Sequence, residues 1–339
     1  MSLVSLVVPV FNEESAIPIF LSRVVPILRD IGFDYEIIFV DDGSTDGTIA
    51  AVTSARATNP SVKLLSLSRN FGKEAALTAG MDRSTGDAVI PIDVDLQDPP
   101  ELIADFVRLW REGFEVVVGQ RIERDADTRA KRMTSRLFYR LFNKIASRPI
   151  EADVGDYRLM SRRAVDATLE LRERNRFMKG LFSWVGFRTA SVPYERPARA
   201  AGTTKFNYWK LWNFALDGIT SFSTIPLKVW TYVGGTVAVA AIVYMVIITL
   251  RTLLFGRDVP GYASLMVVML MLGAVQLISL GIIGEYLGRL YMETKQRPIY
   301  LVQHADGFAV PTRDSEPAHD ADTSGTVVAV SSVEAARSR

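Results

Sequence analysis

The segment Pro91-Ile92-Asp93-Val94-Asp95-Leu96-Gln97-Asp98 places two carboxylates one residue apart at the end of an apolar run, with a side-chain amide soon after. If the run is a strand that finishes between the two acids, both side chains project toward one cavity. Mg2+ or Mn2+ bridging a diphosphate takes one or two protein carboxylates and completes its shell with other oxygens, which this cluster supplies. The plainer alternative is that the acids cap the helix that follows. A second acidic pair, in Asp41-Asp42-Gly43-Ser44, ends another apolar run. Helix capping accounts for Ser44 but not for the two acids before it. Such carboxylates can accept hydrogen bonds from base N–H groups or ribose hydroxyls. Asn12 and Glu13, just past Pro9, form the third edge of the same expected rim.

Composition bounds the remaining chemistry. The 339 residues contain no cysteine, which removes disulfides, thiolate nucleophiles and sulfur-ligated metals. The two histidines, His304 and His319, both fall near the carboxyl end, so any metal is expected on hard oxygen ligands. With 39 Lys and Arg against 38 Asp and Glu, a net charge of +1, no global basic field points to nucleic acid. An anionic partner must be held by local cations. No G-x-G-x-x-G follows the first apolar run and no Walker A sequence occurs, which argues against a dinucleotide dehydrogenase or a P-loop NTPase.

These residues need a scaffold that gathers strand ends. Residues 3–10, 35–40, 62–67, 88–92 and 115–119 read as strands, the first nearly continuous in apolar side chains, as for a parallel strand covered on both faces. Helical patterns run from about 11 to 30, over 73–82 and over 100–112. The alternation predicts an α/β domain with a Rossmann-like doubly wound sheet. In such sheets ligands bind beyond the carboxyl ends of the strands, and each acidic cluster falls at one of those ends.

Further along, residues 229–250 are apolar apart from small or hydroxylated residues and Tyr, and residues 262–283 apart from Gln276 and two serines. At about 1.5 Å per residue, each reaches across a hydrocarbon core of about 30 Å. They are read as a transmembrane hairpin rather than as a buried helix pair. Phe206, Tyr208, Trp209 and Trp212 alternate with Lys205 and Lys210, the mixture of an interfacial helix. The connection 251–261 is too short for a domain, so both ends of the hairpin face the side that holds the first domain. Lys228, Arg289, Lys295 and Arg297 mark that side as cytoplasmic, although Arg251 and Arg257 on the far loop weaken the count. No basic and apolar leader precedes the first strand, which agrees with a cytoplasmic first domain. Beyond about Gln303 the chain is rich in Asp, Ser, Thr, Ala and Pro, and a disordered tail is expected.

Taken together, Val8-Pro9-Val10-Phe11-Asn12-Glu13-Glu14, Val40-Asp41-Asp42-Gly43-Ser44, Ser68-Arg69-Asn70-Phe71-Gly72-Lys73-Glu74 and Asp93-Val94-Asp95-Leu96-Gln97-Asp98-Pro99 resemble the inverting family 2 glycosyltransferases of GT-A fold. Within that family the chain is similar to the polyprenyl-phosphate glycosyltransferases. Gly155-Asp156-Tyr157-Arg158-Leu159-Met160, Arg176-Phe177-Met178-Lys179-Gly180 and Gly281-Ile282-Ile283-Gly284-Glu285-Tyr286 agree with the same group, and the similarity spans roughly residues 3–302.

The resemblance implies a GT-A catalytic domain at 1–203, interfacial helices at 204–224, a transmembrane hairpin with a juxtamembrane segment at 225–302, and a tail at 303–339. It implies metal-dependent, inverting hexose transfer from a nucleotide sugar to polyprenyl (undecaprenyl) phosphate, with the catalytic domain on the cytoplasmic side of the plasma membrane. UDP-glucose is the foremost donor, GDP-mannose and other UDP-sugars remaining open, and the assembly suggested is a homo-oligomer, a tetramer. Carried over by position, Pro9, Phe11, Glu13, Asp41 and Asp42 hold the base and ribose, and Asp93 faces the donor. Asp95 and Gln97 take Mg2+ or Mn2+, while Lys179, Arg199 and Lys205 neutralise the donor diphosphate. Arg121, Lys131, Arg132 and Ser135 hold the acceptor phosphate, and Asp156 stands at the reacting centre. Without the resemblance, the basic stretch after Arg121 reads as a solvated helix face.

Overall fold

The computed structural model describes residues 2–122, 154–174, 176, 178–195, 225–255 and 261–308. Strands β1 (Leu3–Val10), β2 (Asp34–Asp41), β3 (Val62–Leu67) and β4 (Ala88–Pro91) lie parallel in the order β4-β1-β2-β3. Helices α1 (Ala16–Asp30), α2 (Thr48–Thr58) and α3 (Lys73–Arg83) connect them in sequence. After α4 (Leu102–Arg111), the sheet extends past β4 through β6 (Val154–Ser161), β5 (Val116–Arg121) and β7 (Thr189–Tyr194). Strand β6 runs antiparallel to both β4 and β5, whereas β7 is parallel to β5. Helices α5 (Arg162–Glu170) and α6 (Met178–Val185) lie between β6 and β7 in the chain.

Periodicity explains each layer. Strands β1 and β2 carry consecutive buried residues because helices cover both faces of a parallel sheet. Helix α1 buries Ile17, Phe20, Val24 and Leu28, a single stripe at helical spacing, and Phe20 meets Phe39 of β2 edge-on with ring centroids 5.9 Å apart. Helix α3 has no polar face: Ala75 through Met81 are all buried. Its small residues permit that depth, since a Cβ at Gly80 would lie 2.3 Å from Val7 Cγ1 and 2.9 Å from Val40 Cγ2. Packed so closely on β1 and β2, α3 holds its first residue, Lys73, at the edge where the parallel strands end.

That edge is also a topological switch point. From β1 the chain moves outward through β2 and β3, then returns to lay β4 on the other side of β1. The crevice beyond the carboxyl ends of β1 and β4 is where doubly wound sheets receive ligands.

Helices α7 (Ile225–Phe255) and α8 (Tyr262–Thr294) contain the two apolar stretches, Tyr232–Arg251 and Leu265–Thr294, each long enough to cross a membrane. Both helices exceed the 229–250 and 262–283 expected from hydropathy alone, because the helical hydrogen-bond ladder continues past the apolar window. The expected interfacial helices at 204–224 lie outside the described residues, as does the chain beyond 308.

One boundary requires correction. The tail expected from 303 begins as an eighth strand, β8 (Val302–Asp306), paired antiparallel with β3. Leu64 faces Asp306 and Ser66 faces His304; Leu301 O accepts from Ser68 N at 2.9 Å, and Arg56 pairs with Asp306 at 2.7 Å. A polar sequence can form this strand because it lies at the sheet edge, where backbone pairing rather than apolar burial holds it.

Ending the chain after Ser223 therefore removes a strand of the sheet along with the hairpin. Losing those edge bonds is expected to cost roughly 2–4 kcal/mol, at about 0.5–1.5 kcal/mol per hydrogen bond, and to leave β3 as an exposed apolar edge. The truncated domain should melt roughly 5–15 °C lower and self-associate, and appending 296–308 through a flexible linker should restore it. Equal melting temperatures with and without the appended strand would show β8 to be dispensable.

Candidate functional site

Beyond the ends of β1, β2 and β4 lies an open cavity of about 350 Å3, within the range of small-ligand pockets. Pro9, Val10, Phe11 and Glu13 line one side, Asp93, Val94 and Asp95 another, and Asp42, Asn70, Gly72, Lys73 and Ala76 the third. Of the residues expected to bind a nucleotide sugar or metal, Pro9, Phe11, Glu13, Asp42, Asp93 and Asp95 meet here.

The loops after the strands are tied to each other. Asn12, held at φ 56°, accepts from Thr45 N at 2.8 Å through Oδ1 and donates its own N–H to Ser44 Oγ at 2.9 Å. Asp41 Oδ1 accepts from Ser44 N at 3.0 Å, while its buried Oδ2 has no hydrogen-bond partner among the described residues. Asp42 accepts from the backbone N–H groups of Phe71 and Gly72 at 2.7 and 2.9 Å. Burial raises its pKa, those N–H groups opposing the rise. Gly43 must be glycine: its φ is +77° and a Cβ would stand 2.7 Å from the Arg69 carbonyl carbon. The acidic pair thus shapes the wall formed by Asn70 and Gly72.

The two acids after β4 have different surroundings. Lys73 Nζ lies 2.6 and 2.8 Å from the two oxygens of Asp93 and 3.2 Å from Asp156 Oδ2, so one ammonium bridges two carboxylates. Burial pushes the Asp93 carboxyl up in spite of Lys73. Burial also works against the charged form of Lys73, but Asp93 and Asp156 outweigh it and hold the ammonium protonated. Asp95 makes no ion pair among the described residues; its Oδ1 accepts the Gln97 N–H at 3.1 Å across Leu96, whose φ of 53° turns the chain back. Non-glycine residues at positive φ cost energy and gather at functional sites, and Asn12 and Leu96 flank this one.

A divalent cation fits beside Asp95. Glu13 has its pKa raised first by burial and then by the carboxylates of Asp95, Asp46 and Asp93, which marks a rim with excess negative charge. Among the described residues no three His, Cys, Asp or Glu side chains converge on one ion position. Such an ion would need phosphate oxygens and water to complete its shell, which is how Mg2+ is ordinarily held at diphosphates. Gln97 is buried and not part of the cavity lining, so its contribution here is the backbone N–H that orients Asp95.

Asp156 of β6 reaches the cavity through Lys73, and Arg121 at the end of β5 lies beside it, with Nη2 3.0 Å from where a Cβ at Gly155 would sit. Lys131, Arg132, Ser135, Arg199 and Lys205 lie outside the described residues, as does the side chain of Lys179 in α6. Lys73 was missed as a site residue, although it stands in the Phe71-Gly72-Lys73-Glu74 motif. A lysine opening a helix reads as a surface residue, and only its ion pairs with Asp93 after β4 and Asp156 of β6 expose its role.

Residues 5–169 match the model of the family described as Glycosyl transferase family 2, and residues 225–290 match the one described as GtrB C-terminal hairpin. An uncharacterized glycosyltransferase of Synechocystis sp. is 52% identical over 90% of this chain and 96% of its own length. A prophage bactoprenol glucosyl transferase homolog of Escherichia coli K12 is 52% identical over 88% of this chain and 98% of its own. The bactoprenol glucosyl transferase of Shigella phage SfX is 53% identical over the same shares, 88% and 98%.

Proposed function

The chain belongs to glycosyltransferase family 2, and from that premise we propose that it transfers a hexose, with inversion, from a nucleotide sugar to a polyprenyl phosphate at the cytoplasmic face of the plasma membrane. UDP-glucose is the donor we favour and undecaprenyl phosphate the acceptor, supported by the named activity of the relatives. The observation that carries the reading is the cavity itself: a strand-end carboxylate, Asp95, without an ion pair among the described residues, beside a lysine shared by Asp93 and Asp156, in a chain with two helices of membrane-spanning length.

In this proposal Pro9, Phe11 and Glu13 hold the base and ribose, and Asp41, whose buried Oδ2 has no hydrogen-bond partner among the described residues, backs them from the end of β2. Asp42 acts by holding the Asn70–Gly72 wall, since its oxygens are occupied by backbone donors. Asp95 would hold Mg2+ or Mn2+, whereas Asp93 has both oxygens engaged by Lys73. Such an ion supplies Lewis-acid stabilisation of a leaving diphosphate. Lys73 adds fixed positive charge on the same side, and Arg121 presents a guanidinium to the acceptor. Lys131, Arg132 and Ser135 are proposed to join Arg121 on the acceptor phosphate, and Lys179, Arg199 and Lys205 to face the donor diphosphate.

The bond-making step is one in-line displacement. A phosphate oxygen of the acceptor dianion forms the new bond at the anomeric carbon, and the bond to the nucleoside diphosphate breaks with its electron pair leaving on that group. An α-linked donor then yields a β-linked lipid phosphosugar, the acceptor becoming a monoanionic diester.

The test is transfer from a panel of labelled nucleotide sugars to undecaprenyl phosphate in vesicles carrying the full-length protein. Labelled lipid from UDP-glucose is expected, falling by roughly a thousandfold in excess chelator and recovering with Mg2+ or Mn2+. Donor hydrolysis without labelled lipid would overturn the acceptor, and undiminished transfer in chelator would overturn the metal.

A further inference from the structure

Beside the cavity, four elements bring together four side chains, of which the reaction scheme uses only Arg121. Asp98, in the turn after β4, is only 3% exposed. Tyr194, the last residue of β7, donates its O–H to Asp98 Oδ1 at 2.5 Å. Arg121, the last residue of β5, donates from Nε to the Tyr194 oxygen at 3.1 Å, while its Nη2 stands 3.5 Å from Asp98 Oδ1. Tyr157 of β6 fixes the turn by donating its O–H to the Pro99 carbonyl at 2.9 Å.

The donor order in this chain is forced. A phenol has one proton, and an ionised carboxylate can only accept, so Asp98 draws the Tyr194 proton to itself. The lone pairs of Tyr194 are thereby left facing Arg121, whose Nε–H needs an acceptor. Burial and then the Asp98 contact push the Tyr194 phenol up to about 12, so the group keeps its proton throughout the physiological range. At 3.5 Å the direct contact from Arg121 to Asp98 is too long to fix a rotamer, and the ordering passes through Tyr194.

The guanidinium is fixed at its Nε edge and laid across Gly155, where any Cβ would come within 3.0 Å of Nη2. Its Nη1 has no partner among the described residues. Among the described residues Arg121 thus carries an open donor edge next to Asp156, and a planar guanidinium with such an edge matches an oxyanion in a way that depends on orientation.

We propose that Asp98 and Tyr194 are positioning residues that lock Arg121 so that its open guanidinium edge meets a phosphate oxygen of the acceptor beside Asp156. The proposal rests on the reading, given above, that Arg121 serves the acceptor rather than the donor. Neither residue touches substrate.

A double-mutant cycle on the full-length protein in vesicles tests it. Asp98→Asn and Tyr194→Phe are each expected to raise the KM for undecaprenyl phosphate on the order of tenfold, the scale of losing a hydrogen bond at a charged group, with the donor KM within about twofold. Arg121→Ala should raise it at least as far. The deciding comparison is Asp98→Asn combined with Arg121→Ala, which should be no worse than Arg121→Ala alone, because a residue acting through Arg121 has nothing left to position. Additive losses in the double variant, or unchanged kinetics in both Asp98→Asn and Tyr194→Phe, would overturn the positioning role. Should the cycle couple but the donor KM move instead, the positioning stands and the acceptor assignment of Arg121 falls. Melting curves accompany each variant, and Tyr194→Phe, which keeps the ring packed 6.3 Å from Tyr157, guards against an Asp98 variant that fails to fold.

Discussion

Replacing Lys73 by Met is expected to lower kcat/KM for transfer by roughly three orders of magnitude, the scale of removing a preorganised charge from the reacting centre. The ammonium bridges Asp93 and Asp156, so its loss leaves two carboxylates facing each other with Glu13 and Asp95 close by. Like charges held together in a partly dry cavity repel the donor diphosphate and each other. Lys73→Arg should recover only part of the loss, because a planar fork cannot occupy the point between two carboxylates that an ammonium fills. Steady-state kinetics with purified full-length variants, alongside melting temperatures, measure the effect. A Met variant within tenfold of the parent would sink the bridging role.

The comparison of sequence with structure turns on which interactions are local. Strands β1 and β3 begin and end at the residues that apolar runs predict, since a strand covered on both faces shows its burial in its own side chains. The acidic rim was equally legible, as turns after buried strands announce themselves by abrupt polarity. Strand β8 was not, because Val302–Asp306 earns its place by pairing with β3 and shows no apolar pattern. Strand β6 appeared in the sequence only as the motif Gly155–Met160, although its antiparallel insertion beside β4 is what brings Asp156 to Lys73. Asp98 was hidden for a third reason: an acid before Pro99 reads as a helix cap, and only the ends of β5 and β7 reveal Arg121 and Tyr194 as its company.

The distinct surroundings of Asp93 and Asp95 also refine the reading of the acidic pair. Spacing alone makes them equivalent candidates for a metal. The structure separates them, since Lys73 binds both oxygens of Asp93 while, among the described residues, Asp95 is steadied only by the Gln97 N–H. On the proposed reading, one acid organises a cation of the protein and the other, without an ion pair among the described residues, would take a cation from solution.

Asp156→Asn is expected to remove a large part of the rate, about a hundredfold or more, at every pH, while the acidic limb of the pH–rate profile stays where it is. A phosphate monoester has a second pKa of about 6, so near neutral pH the acceptor is already a dianion with no proton to surrender, and a general base would add little. The geometry supports a different role, because Asp156 Oδ2 is 3.2 Å from the Lys73 ammonium and Arg121 lies beside it. In the proposed reaction a carboxylate so placed would order cations around the reacting phosphates and stabilise the positive charge that grows on the sugar ring in the transition state. Asn keeps the shape but removes that charge, which depresses the rate uniformly and leaves the acceptor's own titration as the acidic limb. Profiles of kcat/KM from about pH 5 to 9 separate the two roles. Disappearance of the acidic limb in Asp156→Asn, or recovery of its activity at high pH, would identify Asp156 as the titrating base.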